Sequence, residues 1–70
     1  MVEVIYVEPL AAGWAVRHDS VENPQVFTSG AKAEAAARSL GGRLSRAGAP
    51  SEIRVVLRDG TLGGRFACSP

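Results

Sequence analysis

The side chains able to do chemistry in this chain are few. Its one histidine, His18, stands beside Asp19, and an aspartate can orient an imidazole for proton transfer. A catalytic role needs a nucleophile or a second acid–base group converging on that ring, and the spacing of serines and cysteine places none there, so His18 reads as a structural residue. Cys68 is the single cysteine and stands in a C-terminal segment expected to fray, with no evident group beside it to activate the thiol as a nucleophile. It can neither close an intrachain disulfide nor join a thiolate cluster around zinc. Calcium-type acidic spacing is absent, and neither Gly41-Gly42 nor Gly63-Gly64 belongs to a phosphate-binding glycine pattern between strand and helix. The reading is a non-enzymatic chain with no catalytic residue, no metal, no cofactor and no small-molecule substrate.

What remains is arginine. Arg54, Arg58 and Arg65 fall in the last two strands expected here, and Arg17 falls in an earlier one. If the sheet face away from the helix is exposed, these four guanidinium groups form a cationic patch able to contact phosphates or a partner protein. Solvated outward positions of a half-buried sheet would show the same pattern. The net charge is only +1, thin for a nucleic-acid module. It is unevenly laid out: residues 1–30 carry Arg17 against Glu3, Glu8, Asp19 and Glu22, whereas residues 31–70 carry Lys32 and six arginines against Glu34, Glu52 and Asp59. An acidic first part and a basic second part could steer a second copy, another protein or a nucleic acid.

These residues need elements to hold them. Val2–Val7 is β-branched and aromatic and reads as a strand stopped by Pro9. Trp14-Ala15-Val16-Arg17-His18 alternates, which puts Trp14 and Val16 on one buried face of a second strand, paired to the first as a hairpin. Asp19–Pro24 has turn chemistry, and Gln25–Thr28 offers a short third strand. Ser29 is placed to cap a helix from about Gly30 to about Ala47, with Ala33, Ala36, Ala37, Leu40, Leu44 and Ala47 on the packed side and Glu34, Arg38, Ser45 and Arg46 opposite. Gly41-Gly42 weakens this helix, but Gly48 followed by Pro50 is the better stop signal. Glu52–Arg58 alternates cleanly, with Ile53, Val55 and Leu57 inward and Glu52, Arg54 and Arg58 outward. Asp59-Gly60 suits a two-residue hairpin turn with positive φ at both positions, and Gly63-Gly64 suggests a bulge or a bent end in the returning strand. The order β-β-β-α-β-β predicts an α+β fold, a mostly antiparallel sheet of four to five strands with one helix on one face.

Seventy residues allow one domain, covering 1–70, whose core supplies only about 3 to 5 kcal/mol of net stability. Dimerisation is a natural way to add to it. The chain has no apolar run long enough to span a bilayer and no secretory leader at its start, so the cytoplasm is the expected compartment and no membrane partner is expected.

Trp14-Ala15-Val16, then Phe27-Thr28, then Lys32-Ala33-Glu34-Ala35 and finally Arg58-Asp59-Gly60 resemble, in order and spacing over most of the chain, a bacterial family, domain of unknown function 2188. Ser29-Gly30-Ala31 stands here where that pattern joins threonine directly to lysine. The resemblance implies a small stand-alone bacterial protein and brings no activity with it. Strands leading into a helix with this opening also look like three-stranded DNA-binding modules of plant transcription factors and phage integrase arms, an analogy of fold alone. The expected function is therefore a protein-interaction or homodimerisation module that dimerises or docks through a sheet edge or the open sheet face, with nucleic-acid binding through Arg17, Arg54, Arg58 and Arg65 as the alternative.

Overall fold

In a computed structural model, which describes residues 2–18 and 23–68, the middle of the sheet is taken by the first strand of the chain. Strand β1 (Glu3–Leu10) pairs antiparallel with β2 (Gly13–His18) and parallel with β4 (Ser51–Val56). Strands β3 (Gln25–Phe27) and β5 (Leu62–Cys68) complete the order β3-β2-β1-β4-β5. The fold is α+β, with one parallel pair in an otherwise antiparallel five-stranded sheet.

Helix α1 (Gly30–Arg46) touches every strand from one side. The register aligns Val7 with Val16 and Val55, Ile5 with Ile53, and Ile53 with Phe66, so period-two alternation gathers the large side chains under the helix. Ile5 and Ile53 are fully buried there, with Val7, Val16, Ala33 and Ala37 around them. Each fully buried aliphatic side chain contributes roughly 1.5 to 3 kcal/mol. Trp14 and Phe27, opposite each other in register, extend this cluster towards the helix N-terminus.

The Ser29 hydroxyl caps α1 by accepting from the Lys32 N–H at 3.2 Å. The other end closes as a Schellman motif, with Gly48 N–H donating to Ser45 C=O and Ala49 N–H to Leu44 C=O. The helix runs unbroken through Gly41-Gly42. Gly41 is buried against the sheet, and a Cβ there would lie 2.7 Å from the Cys68 sulfur and 3.0 Å from the Ser51 hydroxyl. The packed stripe is Ala33, Ala37, Gly41 and Ser45, at four-residue spacing. Ser45, expected on the outer side, is therefore buried, and Ala47 is exposed. Ser45 earns its place by donating to the Cys68 carbonyl at 3.1 Å, while the Ser51 hydroxyl donates to the Gly41 carbonyl at 3.3 Å. Small polar side chains join helix to sheet where no large one would fit.

Four other expectations change. Pro9 does not stop β1, which continues to Leu10; its missing N–H costs nothing towards β4, because that ladder ends at Val7↔Val55. Strand β4 ends at Val56, so Leu57 is exposed rather than inward, and Arg58 belongs to the turn. That turn is a three-residue loop, closed by Leu57 N–H to Thr61 C=O and Gly60 N–H to Leu57 C=O. Only Gly60 adopts positive φ, since Asp59 takes an ordinary conformation and lets glycine carry the left-handed one. Cys68 is paired with Ser51 in β5 rather than frayed, whereas Ser69, Pro70 and the Asp19–Glu22 part of the expected turn lie outside the described residues. The bulge expected at Gly63-Gly64 is present: Val55 faces Gly64 and Val56 faces Leu62, which leaves Gly63 as the extra residue.

Candidate functional site

The face of the sheet turned away from α1 has no helix over it. Alternation along the strands puts Tyr6, Arg17, Arg54 and Arg65 on that face, and the register sets them in one line: Arg17 opposite Tyr6, Tyr6 beside Arg54, Arg54 opposite Arg65. Three arginines thus cross the sheet on neighbouring strands with one aromatic ring among them. The Arg17 guanidinium carbon lies 4.3 Å from the Tyr6 ring centre and that of Arg54 5.9 Å. Arg54 also donates to the Tyr6 hydroxyl at 3.4 Å.

Two carboxylates flank the line, Glu8 on one side and Glu52 on the other. Arg17 donates to Glu8 through Nη2 at 2.8 Å and Nε at 3.2 Å. Glu52 accepts from Arg54 with one oxygen and from Arg65 with the other, the latter at 3.1 Å. The hydrogen bond from Arg54 holds the Glu52 carboxyl below its ordinary value of 4.5, and the charges of Arg54 and Arg65 act the same way. Arg54 is raised in turn, first by that same hydrogen bond. Three positive and two negative groups leave the line with one net positive charge, and each arginine in it already donates to a carboxylate. Beside it, Val26, Ala15, Val56 and Leu62 are apolar; Val26 is 64% exposed and Leu62 50%.

Arg58 does not join this line. Its Nη1 donates to the Leu10 carbonyl at 2.8 Å and its guanidinium lies 5.5 Å from the Trp14 ring, so it closes the end of the sheet against the β1–β2 turn. Of the four arginines singled out from sequence, the fold brings Arg17, Arg54 and Arg65 together and sets Arg58 apart. Sequence reasoning missed Tyr6, Glu8 and Glu52. Parity along β1 already groups Tyr6 with Glu8; that β1 lies between β2 and β4 is what makes them the centre of the line.

The remaining reactive side chains sit on the packed side and do not converge. His18 is 3% exposed, with Nε2 at 3.2 Å from a Glu3 carboxylate oxygen. It lines a cavity of about 160 Å³ together with Val16, Asn23, Gln25, Leu40 and Arg43. Asp19, its neighbour in sequence, lies outside the described residues. Cys68 is half-buried beneath Gly41. Among the described residues no three His, Cys, Asp or Glu side chains group to hold a metal ion, and no helix is long and apolar enough to cross a membrane. No family model matches the chain, and no curated protein or solved structure matches it either.

Proposed function

We propose that this chain is a non-enzymatic protein-interaction module whose contact surface is the open face of its sheet. The observation that carries the reading is the charge-compensated line Arg17–Tyr6–Arg54–Arg65, held by Glu8 and Glu52 beside exposed valine and leucine. Tyrosine and arginine are enriched where proteins meet, and side chains already fixed by ion pairs lose less freedom on binding. A polyanion gains most from cations that have only water and salt as partners, because its affinity comes largely from counterion release. Here each arginine of the line would have to exchange a carboxylate for a phosphate. A cytoplasmic, bacterial setting and membership of the domain of unknown function 2188 family belong to the same proposal, resting on the sequence resemblance.

The nucleic-acid reading keeps one observation in its favour, the alignment of three guanidinium groups across adjacent strands. One experiment separates the two. The chain is immobilised as bait in lysate of its own source cell, as wild type, Tyr6→Ala, Arg54→Glu and the helix-side control Lys32→Ala, and in parallel is titrated with a DNA duplex at low and at physiological salt. Docking through the face predicts a protein retained by wild type and Lys32→Ala and lost from both face variants, with no duplex binding at physiological salt. Salt-dependent duplex binding weakened by Arg54→Glu, with no protein lost from the face variants, overturns the proposal.

A further inference from the structure

The two edges of the sheet differ. Strand β3 is an edge of three residues, too short to template much pairing. Strand β5 is an edge of seven, and beyond the bulge at Gly63 its last five residues, Gly64 to Cys68, pair regularly with β4. Among the described residues nothing pairs with its outer side. That stretch, Gly-Arg-Phe-Ala-Cys, contains no proline, and its one charge, Arg65, is already paired with Glu52, so the usual devices that blunt an edge are weak there. Its one bulge lies at the start and leaves the rest straight.

We infer that two copies of this chain pair antiparallel through β5, forming one continuous ten-stranded sheet with Phe66 of each copy opposite Phe66 of the other. The register follows from geometry and charge. A two-fold axis perpendicular to the sheet puts both helices on the same side, and residues opposite each other in a ladder must point to the same side, so some β5 residue must face its own copy. Arg65 at that position would set two guanidinium groups directly opposite each other, which is destabilising. Gly64 there would run the ladder through the bulge, and Ala67 or Cys68 there would leave only three of these five residues, or one, in the ladder. Phe66 satisfies all constraints: Arg65 then faces Ala67 of the other copy, Gly64 faces Cys68, and five residues pair on each side.

Phe66 also gives the contact its apolar content. It is half-buried on the helix side, packs on the core cluster, and lies under the Arg38 guanidinium at 4.4 Å, which Glu34 holds at 3.0 Å. Side by side, two such rings would continue the core from one copy into the next, adding burial to a chain whose own core is small. This inference goes beyond the docking proposal. It concerns the edge rather than the open face, and either can fail alone, although a β5 dimer would set two arginine lines on one wide surface.

The test is light scattering behind size exclusion over a range of protein concentrations, on wild type, Ala67→Arg, Ala67→Glu and Tyr6→Ala, with circular dichroism to establish that each is folded. Ala67 is exposed and on the open face, so neither change disturbs the core. The expected result is a concentration-dependent dimer that Ala67→Arg weakens about tenfold through two new like-charge pairs. Ala67→Glu, facing Arg65 of the other copy, should tighten it, and Tyr6→Ala should leave it unchanged. Gly64→Cys supplies a second measurement: mild oxidation should link it to Cys68 of the other copy and trap the dimer, while wild type, whose Cys68 residues lie far apart along the paired strands, should not crosslink. A monomer at every concentration, or a dimer indifferent to both Ala67 changes, overturns the inference.

Discussion

The two faces of this sheet are built from the same five strands and held by opposite means. Under α1, Ile5, Ile53, Val7 and Val16 are shielded from water and the contact is dominated by shape; a missing methyl leaves a hole and an added one a clash. On the open face, the Arg17–Tyr6–Arg54–Arg65 line is held by hydrogen-bonded ion pairs in contact with solvent, where each pair adds little stability but fixes the position of a charge. The difference separates what folds the chain from what the chain displays. Packing tolerates almost no change on one face, and the other can be rewritten at small cost to the fold.

The largest effect expected from this contrast is at Ile53, which is fully buried between Ile5 and Phe66 in register. Ile53→Ala should cost about 2 to 5 kcal/mol, as much as the whole net stability of roughly 3 to 5 kcal/mol expected for a core this small. Urea unfolding followed by circular dichroism should find the variant largely unfolded without denaturant. If it stays folded with an unchanged midpoint, the packed face is not what holds the molecule.

The adjacent glycines of α1 sharpen the comparison within one turn of helix. Gly41→Val should destabilise by about 1 to 3 kcal/mol, the usual range for overpacking, because the space for its side chain is taken by Cys68 and Ser51. Gly42→Ala should instead stabilise by up to about 1 kcal/mol, since its Cβ would meet only the flexible end of Arg46, at 3.4 Å. Thermal melts of the two variants should shift in opposite directions, and a shift of the same sign in both would refute the close helix–sheet approach at Gly41.

On the open face the expected effects shrink. A double-mutant cycle on Arg17 and Glu8, whose side chains are 43% and 31% exposed, should return a coupling of only about 0.2 to 1 kcal/mol, smaller at high salt. A coupling above that range would mean that the arginine line contributes to folding as well as display.

The smallest effect is a titration. The folded-state pKa of Glu52 is depressed, so its contribution to stability is complete above the ordinary value of 4.5 and is lost as pH falls through the lower folded value. Carbon-detected NMR should place the Glu52 midpoint below 4.5, and Arg54→Ala should move it back towards that figure. A Glu52 midpoint at or above 4.5 in the wild type would contradict the ion-paired line.

How much could be read beforehand divides along the same boundary. Ser29 as cap, Gly48 at the helix stop, the bulge at Gly63 and the inward set of Ile53, Val55, Trp14 and Val16 were legible because each depends on neighbours within a few residues. Ser45 misled because a serine reads as solvent-facing unless one knows that the Cys68 carbonyl waits for it. Arg58 misled because the strand ends two residues before it, a consequence of the Leu57–Thr61 turn. For the candidate site, the arginines were visible as types, but the β1–β2 half of the line, Arg17, Tyr6 and Glu8, could not be joined to the β4–β5 half, Glu52, Arg54 and Arg65, without the parallel β1–β4 pairing.

By itself the sequence determined the element order, the helix limits and the apolar side of β2 and β4, since periodicity, caps and turn chemistry act over a few residues of chain. Tertiary structure alone decided that β1 lies between β2 and β4, bringing Tyr6 beside an arginine 48 residues away. That choice depends on many weak pairings made together around one helix, and no local stretch of chain encodes it.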